Sequence, residues 1–254
     1  MPPPRRLPQV HVKCGNMKLV VATDEEELED GADVMSIFAI RRAAQYGDIA
    51  MVNRLLQVPL VDATADSNYA IQRAAQFGHL DVVERLLQVP GVDATAANNY
   101  ALRWAAANGH LDVVNRLLQV PLVDATADSN YALRWAAEKG HLGVVERLLQ
   151  VHGVDATADE NYAVMMAAAN GHLTVVERLL QVNGVDATAE NNYALRWAAC
   201  EGHLAVVERL LQIPAVDATA AENFAVWEAS QNGHTAVVAR LMQVPAVAAT
   251  AGLY

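Results

Sequence analysis

Apolar and polar positions repeat along most of the chain in a block of 31 residues, and one block shows the pattern of the rest. In Tyr100-Ala-Leu-Arg-Trp-Ala-Ala-Ala-Asn, the helical period puts Leu102, Ala105 and Ala106 on one side and Tyr100, Trp104, Ala107 and Asn108 on the other. Asn99 stands where a helix N-cap is wanted, and Gly109 where a left-handed residue would end the helix. After His110, the stretch Leu111-Asp-Val-Val-Asn-Arg-Leu-Leu-Gln gathers Val113, Val114, Leu117 and Leu118 on one face of a second helix, which Pro121 ends. Asp81 with Arg85, and Asp112 with Arg116, are spaced i, i+4 for an ion pair on that second helix.

The block recurs without a gap. Tyr69, Tyr100, Tyr131, Tyr162 and Tyr193 are 31 residues apart, and Phe38 and Phe224 extend the series at both ends. This divides the chain into seven units, 38–68, 69–99, 100–130, 131–161, 162–192, 193–223 and 224–254. A period of this size predicts a solenoid of helix-turn-helix units, none of which can bury its apolar face alone. Residues 1–37 stand outside the repeats. They hold a Pro-rich start, two apolar stretches that could pair as a small hairpin around Cys14-Gly15-Asn16-Met17, and the acidic run Asp24–Asp30. An open end of such a stack exposes apolar surface, so this segment is expected to cap the first repeat.

Composition narrows the classes. The chain has 254 residues, 53% hydrophobic and 19% charged, which is enough apolar content to build a core. Its longest apolar runs are only a few residues, so no membrane helix is expected and the chain reads as soluble. No apolar stretch of signal-peptide length follows Arg5 and Arg6, and the two cysteines, Cys14 and Cys200, form no disulfide framework. Both observations favour a reducing, cytoplasmic setting. The net charge of −11 argues against nucleic acid or an anionic membrane as the partner.

The segment A-A-x-x-G-H-L-x-V-V-x-R-L-L resembles the ankyrin repeat, whose consensus runs T-P-L-H-x-A-A-x-x-G-H-x-x-V-V-x-L-L-L, and it spans residues 38–254 in seven copies. Two departures stand out: Tyr-Ala-Leu-Arg replaces T-P-L-H, and the family's 33-residue period is cut to 31. The missing residues come out of the family's β-hairpin finger, so short loops are expected there. The resemblance implies an all-α, ankyrin-like solenoid that binds a partner protein or peptide along its concave face. Delivery into a host cell as a microbial effector is a further possibility that it suggests.

Seven internal copies separate fixed positions, which read as scaffold, from variable ones. On the groove side of the first helices the candidate partner-binding residues are Arg41, Arg73, Arg103, Trp104, Arg134, Trp135, Met166, Arg196, Trp197 and Trp227. Trp and Arg dominate interface hot spots, although the aromatic residues could equally serve packing between repeats. The row runs from basic and aromatic at its N-terminal end to acidic at Glu201 and Glu228, and its arginines suggest a partner carrying acidic and apolar residues.

The histidines at 79, 110, 141, 172, 203 and 234 are not read as metal ligands. Neighbouring helices lie about 8–10 Å apart, whereas zinc needs its ligand atoms at about 2 Å, so a hydrogen bond that stabilises the turn after Gly is expected instead. The aspartates at 62, 93, 124, 155, 186 and 217 are missing from the last copy, which has Ala248, and are expected to bond backbone amides or a side chain of the next repeat. No nucleophile motif, phosphate loop, cofactor fingerprint or metal spacing occurs, so no catalysis is expected. A monomer or weak homo-oligomer fits, with self-assembly through the solenoid ends, or service as the targeting domain of a larger protein, as rival readings.

Overall fold

The computed structural model of the protein describes residues 10–14, 17–21 and 31–250. The Pro-rich start and the acidic run Asp24–Asp30 lie outside the described residues. The expected hairpin forms: β1 (Val10–Cys14) and β2 (Met17–Val21) pair antiparallel, with Cys14 opposite Met17. The chain then folds as helix pairs in two compact units. One comprises the residues up to Ala105 with Asn115–Val123, and the other comprises Ala106–Val114 with the residues from Asp124 onward.

In the first unit, α1 (Gly31–Tyr46) and α2 (Ile49–Leu55) are followed by α3 (Ala65–Gln76) and α4 (Leu80–Leu86), with α1 against α3 and α2 against α4. The boundary passes through the third repeat, which holds α5 (Ala96–Ala107) and α6 (Leu111–Leu117). The second unit continues with the first helices α7 (Ala127–Glu138), α9 (Ala158–Ala169), α11 (Ala189–Cys200) and α13 (Ala220–Gln231), each packed on the next. Their partners are α8 (Leu142–Leu148), α10 (Leu173–Leu179), α12 (Leu204–Leu210) and α14 (Thr235–Leu241), and the short α15 (Pro245–Thr250) follows.

The fixed apolar positions are the core. Leu133, Ala136 and Ala137 of α7 and Val144, Val145 and Leu148 of α8 are buried, and the same positions are buried in every repeat but the seventh, where Ser230 is exposed and Val238 half-buried. Alanine on the packing side lets first helices approach closely. Leu118, expected on that face, lies past the end of α6 and is only half-buried.

The junction between repeats differs from the expected capped helix. Within the first turn of each first helix from α3 to α13, three residues adopt left-handed backbone angles and kink the chain, as at Asp128, Ser129 and Asn130 with φ of 58°, 54° and 60°. The turn closes where the N–H of Asn130 donates to the Thr126 carbonyl at 2.9 Å. Asn and Asp tolerate this region better than most residues. The invariant Asn is therefore no N-cap. Its Oδ1 instead accepts the backbone N–H of the Asp 25 residues later, Asp155 for Asn130 at 2.9 Å and Asp217 for Asn192 at 2.9 Å. Helix α1 has no T-A-x-x-N ahead of Phe38 and begins at Gly31 rather than at Phe38.

The aspartates do bond backbone amides, but within their own loop: the Asp155 carboxylate accepts the N–H and the hydroxyl of Thr157 at 2.8 and 2.7 Å. These turns stand where the family has fingers, and among the described residues no strand lies in the repeats. The Asp81–Arg85 pair does not form, because Asp81 accepts from the N–H of Val82 while Arg85 Nε donates to Asn53 of the preceding repeat at 2.8 Å.

Histidine serves the stack rather than its own turn. His79 Nε2 donates to the Gln45 carbonyl of the preceding repeat at 2.9 Å, and His141 Nε2 to that of Ala107 at 3.2 Å. The ring lies flat on the preceding repeat's glycine, so that a Cβ built on Gly171 would stand 2.5 Å from His203 Nδ1. Burial pushes the His141 imidazole below the ordinary histidine range, and the positive ends of His110, His172 and Lys139 push the same way, against the bond to Ala107.

Both ends of the repeat series are adapted. The first repeat carries Asp48 in place of His, and the Asp48 carboxylate caps α2 through the N–H of Met51 at 2.9 Å. In the last repeat Ala248 replaces the Asp, the segment coils into α15, and Asn223 accepts from the Thr250 hydroxyl at 3.1 Å instead.

Candidate functional site

The variable positions on the first helices form a row of rings, and the arginines predicted to share it are tied into the protein. In the first unit, Arg41 lies over Tyr69 of the next repeat at 5.0 Å from the ring centre and pairs with Asp66. Arg73 covers the other contact on Tyr69 at 4.7 Å and donates to Gln76. Arg103 donates to the Ala97 carbonyl, and Trp104 packs on Tyr100 with ring centres 5.6 Å apart. Phe38, Tyr46 and Phe77 are exposed in this unit.

The second unit repeats the device. Arg134, whose side chain keeps only 13% of its surface exposed, lies over Tyr162 of the next repeat at 5.1 Å and pairs with Asp159. Arg196 lies 5.2 Å from the centre of Phe224 and bonds the carbonyls of Asn191 and Glu190. A guanidinium stacks on a ring while its edge stays free for oxygen acceptors, which suits Arg and not Lys to this position. These arginines therefore brace the aromatic residues from within the stack.

The rings they brace remain half-buried. Tyr131 and Trp135 stack at 5.2 Å, Tyr193 and Trp197 meet at 5.6 Å, and Trp197 reaches Phe224 of the next repeat at 6.0 Å. Met166 occupies the tryptophan position between them, beside Tyr162. Trp227 is displaced from the row. It takes the arginine position of its helix and, 54% exposed, lines a recess of about 610 Å³ on the seventh repeat with Phe224, Val238 and Met242.

Two features of this face were not legible as site chemistry. Glu138 is buried, accepting from the Tyr162 hydroxyl at 2.9 Å and from Lys139 at 2.9 Å. Burial first, then this bond and the charge of Glu138, push the Tyr162 phenol up to about 12. At the far end, Glu201 and Glu228 each bring a carboxylate oxygen to 4.0 Å from Cys200 Sγ, and Asn232 spans the same junction by donating to the Cys200 carbonyl at 3.0 Å. Burial raises the Cys200 thiol, and the two carboxylates add to the shift. Both residues stand in the acidic end of the variable row, which was the available signal.

Among the described residues no three His, Cys, Asp or Glu side chains are grouped to hold a metal ion, and no helix is long and apolar enough to cross a membrane. What the fold and this face define is a helical repeat protein with a variable surface carried on an invariant frame. The family model for ankyrin repeats (3 copies) matches residues 40–130 and again 133–222, and the chain belongs to the ankyrin-repeat family. Ankyrin repeats are in general protein–protein interaction modules, and the family is typically non-enzymatic. Comparison with curated proteins gives no match.

Proposed function

We propose that the protein binds a partner protein or peptide along the first-helix face of repeats four to six, with Trp135, Met166 and Trp197 as its anchors. The observation that carries this reading is the row Tyr131–Trp135, Tyr162–Met166 and Tyr193–Trp197, half-buried, with each tryptophan packed on the tyrosine of its own helix and with Arg134 over Tyr162 and Arg196 over Tyr193 from within the fold. Rings held in place before binding lose little side-chain freedom on association, which is what an anchor residue requires. The arginines contribute by holding the rings, so of the candidate set the tryptophans and Met166 are the contact residues. No step of chemistry is needed: the partner is recognised by shape and by the apolar faces of the rings.

Affinity capture from lysate of the natural source tests this, with the wild type beside the Trp135→Ala, Trp197→Ala double variant. A protein retained by the wild type should be lost by the variant, since hot-spot truncations cost about 2 kcal/mol or more each. Equal capture by two proteins of equal melting temperature would place recognition elsewhere. A second reading, self-association through the seventh repeat, is favoured by the exposed Trp227 and its recess. It expects a dimer in light scattering that Trp227→Ala returns to monomer.

A further inference from the structure

The second unit carries 16 Asp and Glu against 7 Lys and Arg, and its cations on the binding face are already engaged. Arg134 and Arg196 are held by rings, carbonyls and Asp159, and Lys139 lies 5.3 Å from the centre of Trp135 while donating to Glu138. Arg147, Arg178, Arg209 and Arg240 stand on the second helices. Glu201 and Glu228, by contrast, pair with no basic side chain among the described residues.

These two carboxylates flank the last tryptophan of the row. Glu201 follows Trp197 by one helical turn, its N–H donating to the Trp197 carbonyl at 3.0 Å. Glu228 takes on α13 the position that Trp197 takes on α11, one turn beyond Phe224, whose ring Trp197 touches. With both carboxylates 4.0 Å from one sulfur, they lie at most twice that distance apart. An aromatic face beside two unpaired carboxylates attracts a cation in two ways, through the ring quadrupole and through charge.

We propose that the partner segment is basic: a peptide with Lys or Arg among apolar residues, one of whose cationic side chains enters between the Trp197 indole and the carboxylates of Glu201 and Glu228. This reverses the acidic partner that the arginine row suggests when it is read from the sequence alone, because the fold spends those arginines on its own rings. The inference rests on the first-helix face being the binding surface.

A random library of short peptides displayed on phage and selected on the immobilised protein tests it. The expected result is enrichment of sequences that combine Lys or Arg with apolar residues. A winning peptide should bind about tenfold more weakly to the Glu201→Gln, Glu228→Gln variant, as loss of a close interfacial charge pair implies. Its binding should be unchanged by Glu146→Gln with Glu177→Gln on the second helices. Acidic or uncharged winners that are still lost by Trp135→Ala, Trp197→Ala would overturn the charge assignment while leaving the face intact. Winners indifferent to those tryptophans would overturn the face and this inference with it, as would a selection that enriches nothing or basic winners that ignore the two glutamines.

Discussion

Gly171→Ala should destabilise the second unit far more than the same change at Gly233, although both glycines have nearly the same backbone angle, φ of +77°. A left-handed conformation costs an alanine about 1–2 kcal/mol at either site. At Gly171 the new Cβ would also stand 2.5 Å from Nδ1, 2.7 Å from Cε1 and 2.8 Å from Cγ of His203, whereas at Gly233 nothing lies within 4 Å. Forcing the ring off the glycine adds an overpacking cost of about 1–3 kcal/mol. The expected total for Gly171→Ala is roughly 2–5 kcal/mol, against roughly 1–2 kcal/mol for Gly233→Ala. Thermal melts followed by circular dichroism give the comparison. Adding His203→Ala to Gly171→Ala should recover part of the loss, a coupling that independent sites would not show. Equal costs at the two glycines would mean that the histidine ring does not rest where the structure puts it.

Asn130→Ala should be the second costly change. It removes the Oδ1 that accepts the Asp155 N–H at 2.9 Å and leaves alanine in the left-handed turn at φ of 60°. An amide stripped of its acceptor costs about 1–3 kcal/mol, and the backbone adds up to about 1–2 kcal/mol. Asn130→Asp keeps an acceptor oxygen and should lose least. Asn130→Gly frees the backbone but not the amide and should fall between them. Urea melts of the three variants set the order, and an aspartate variant as weak as the alanine one would rule out the inter-repeat bond as the reason for the asparagine.

Both expectations concern residues whose type was legible in the sequence but whose role was not. Comparing seven internal copies was enough to separate Leu133, Ala136, Val144 and Val145 as core, and all are buried. The same comparison marked His, Asn and Asp as fixed without saying where their side chains point, because a period along the chain does not show which atoms meet across repeats. Local precedent placed Asn99 as an N-cap and tied each histidine to its own turn. The actual acceptors and donors lie 25 and 34 residues away, as for Asn130 with Asp155 and His141 with Ala107.

The arginines show the same limit on the binding face. Helical spacing put Arg134 and Trp135 near one side of α7, but side-chain direction sends the guanidinium to Tyr162 of the next repeat. Spacing alone counted that charge as available to a partner. The acidic end at Glu201 and Glu228 was visible as composition, and only the packing of α11 on α13 showed that the two carboxylates converge on Cys200, one turn along the helix from Trp197.

The most direct measurement of where a partner sits is hydroxyl-radical footprinting of the protein with and without a bound partner, read residue by residue by mass spectrometry. Protection at Trp135, Met166 and Trp197, with oxidation on the second helices unchanged, is the expected result. Protection confined to the second helices, at Leu142, Leu173 and Leu204, with the two tryptophans and Met166 still oxidised, would contradict the assignment of the first-helix face.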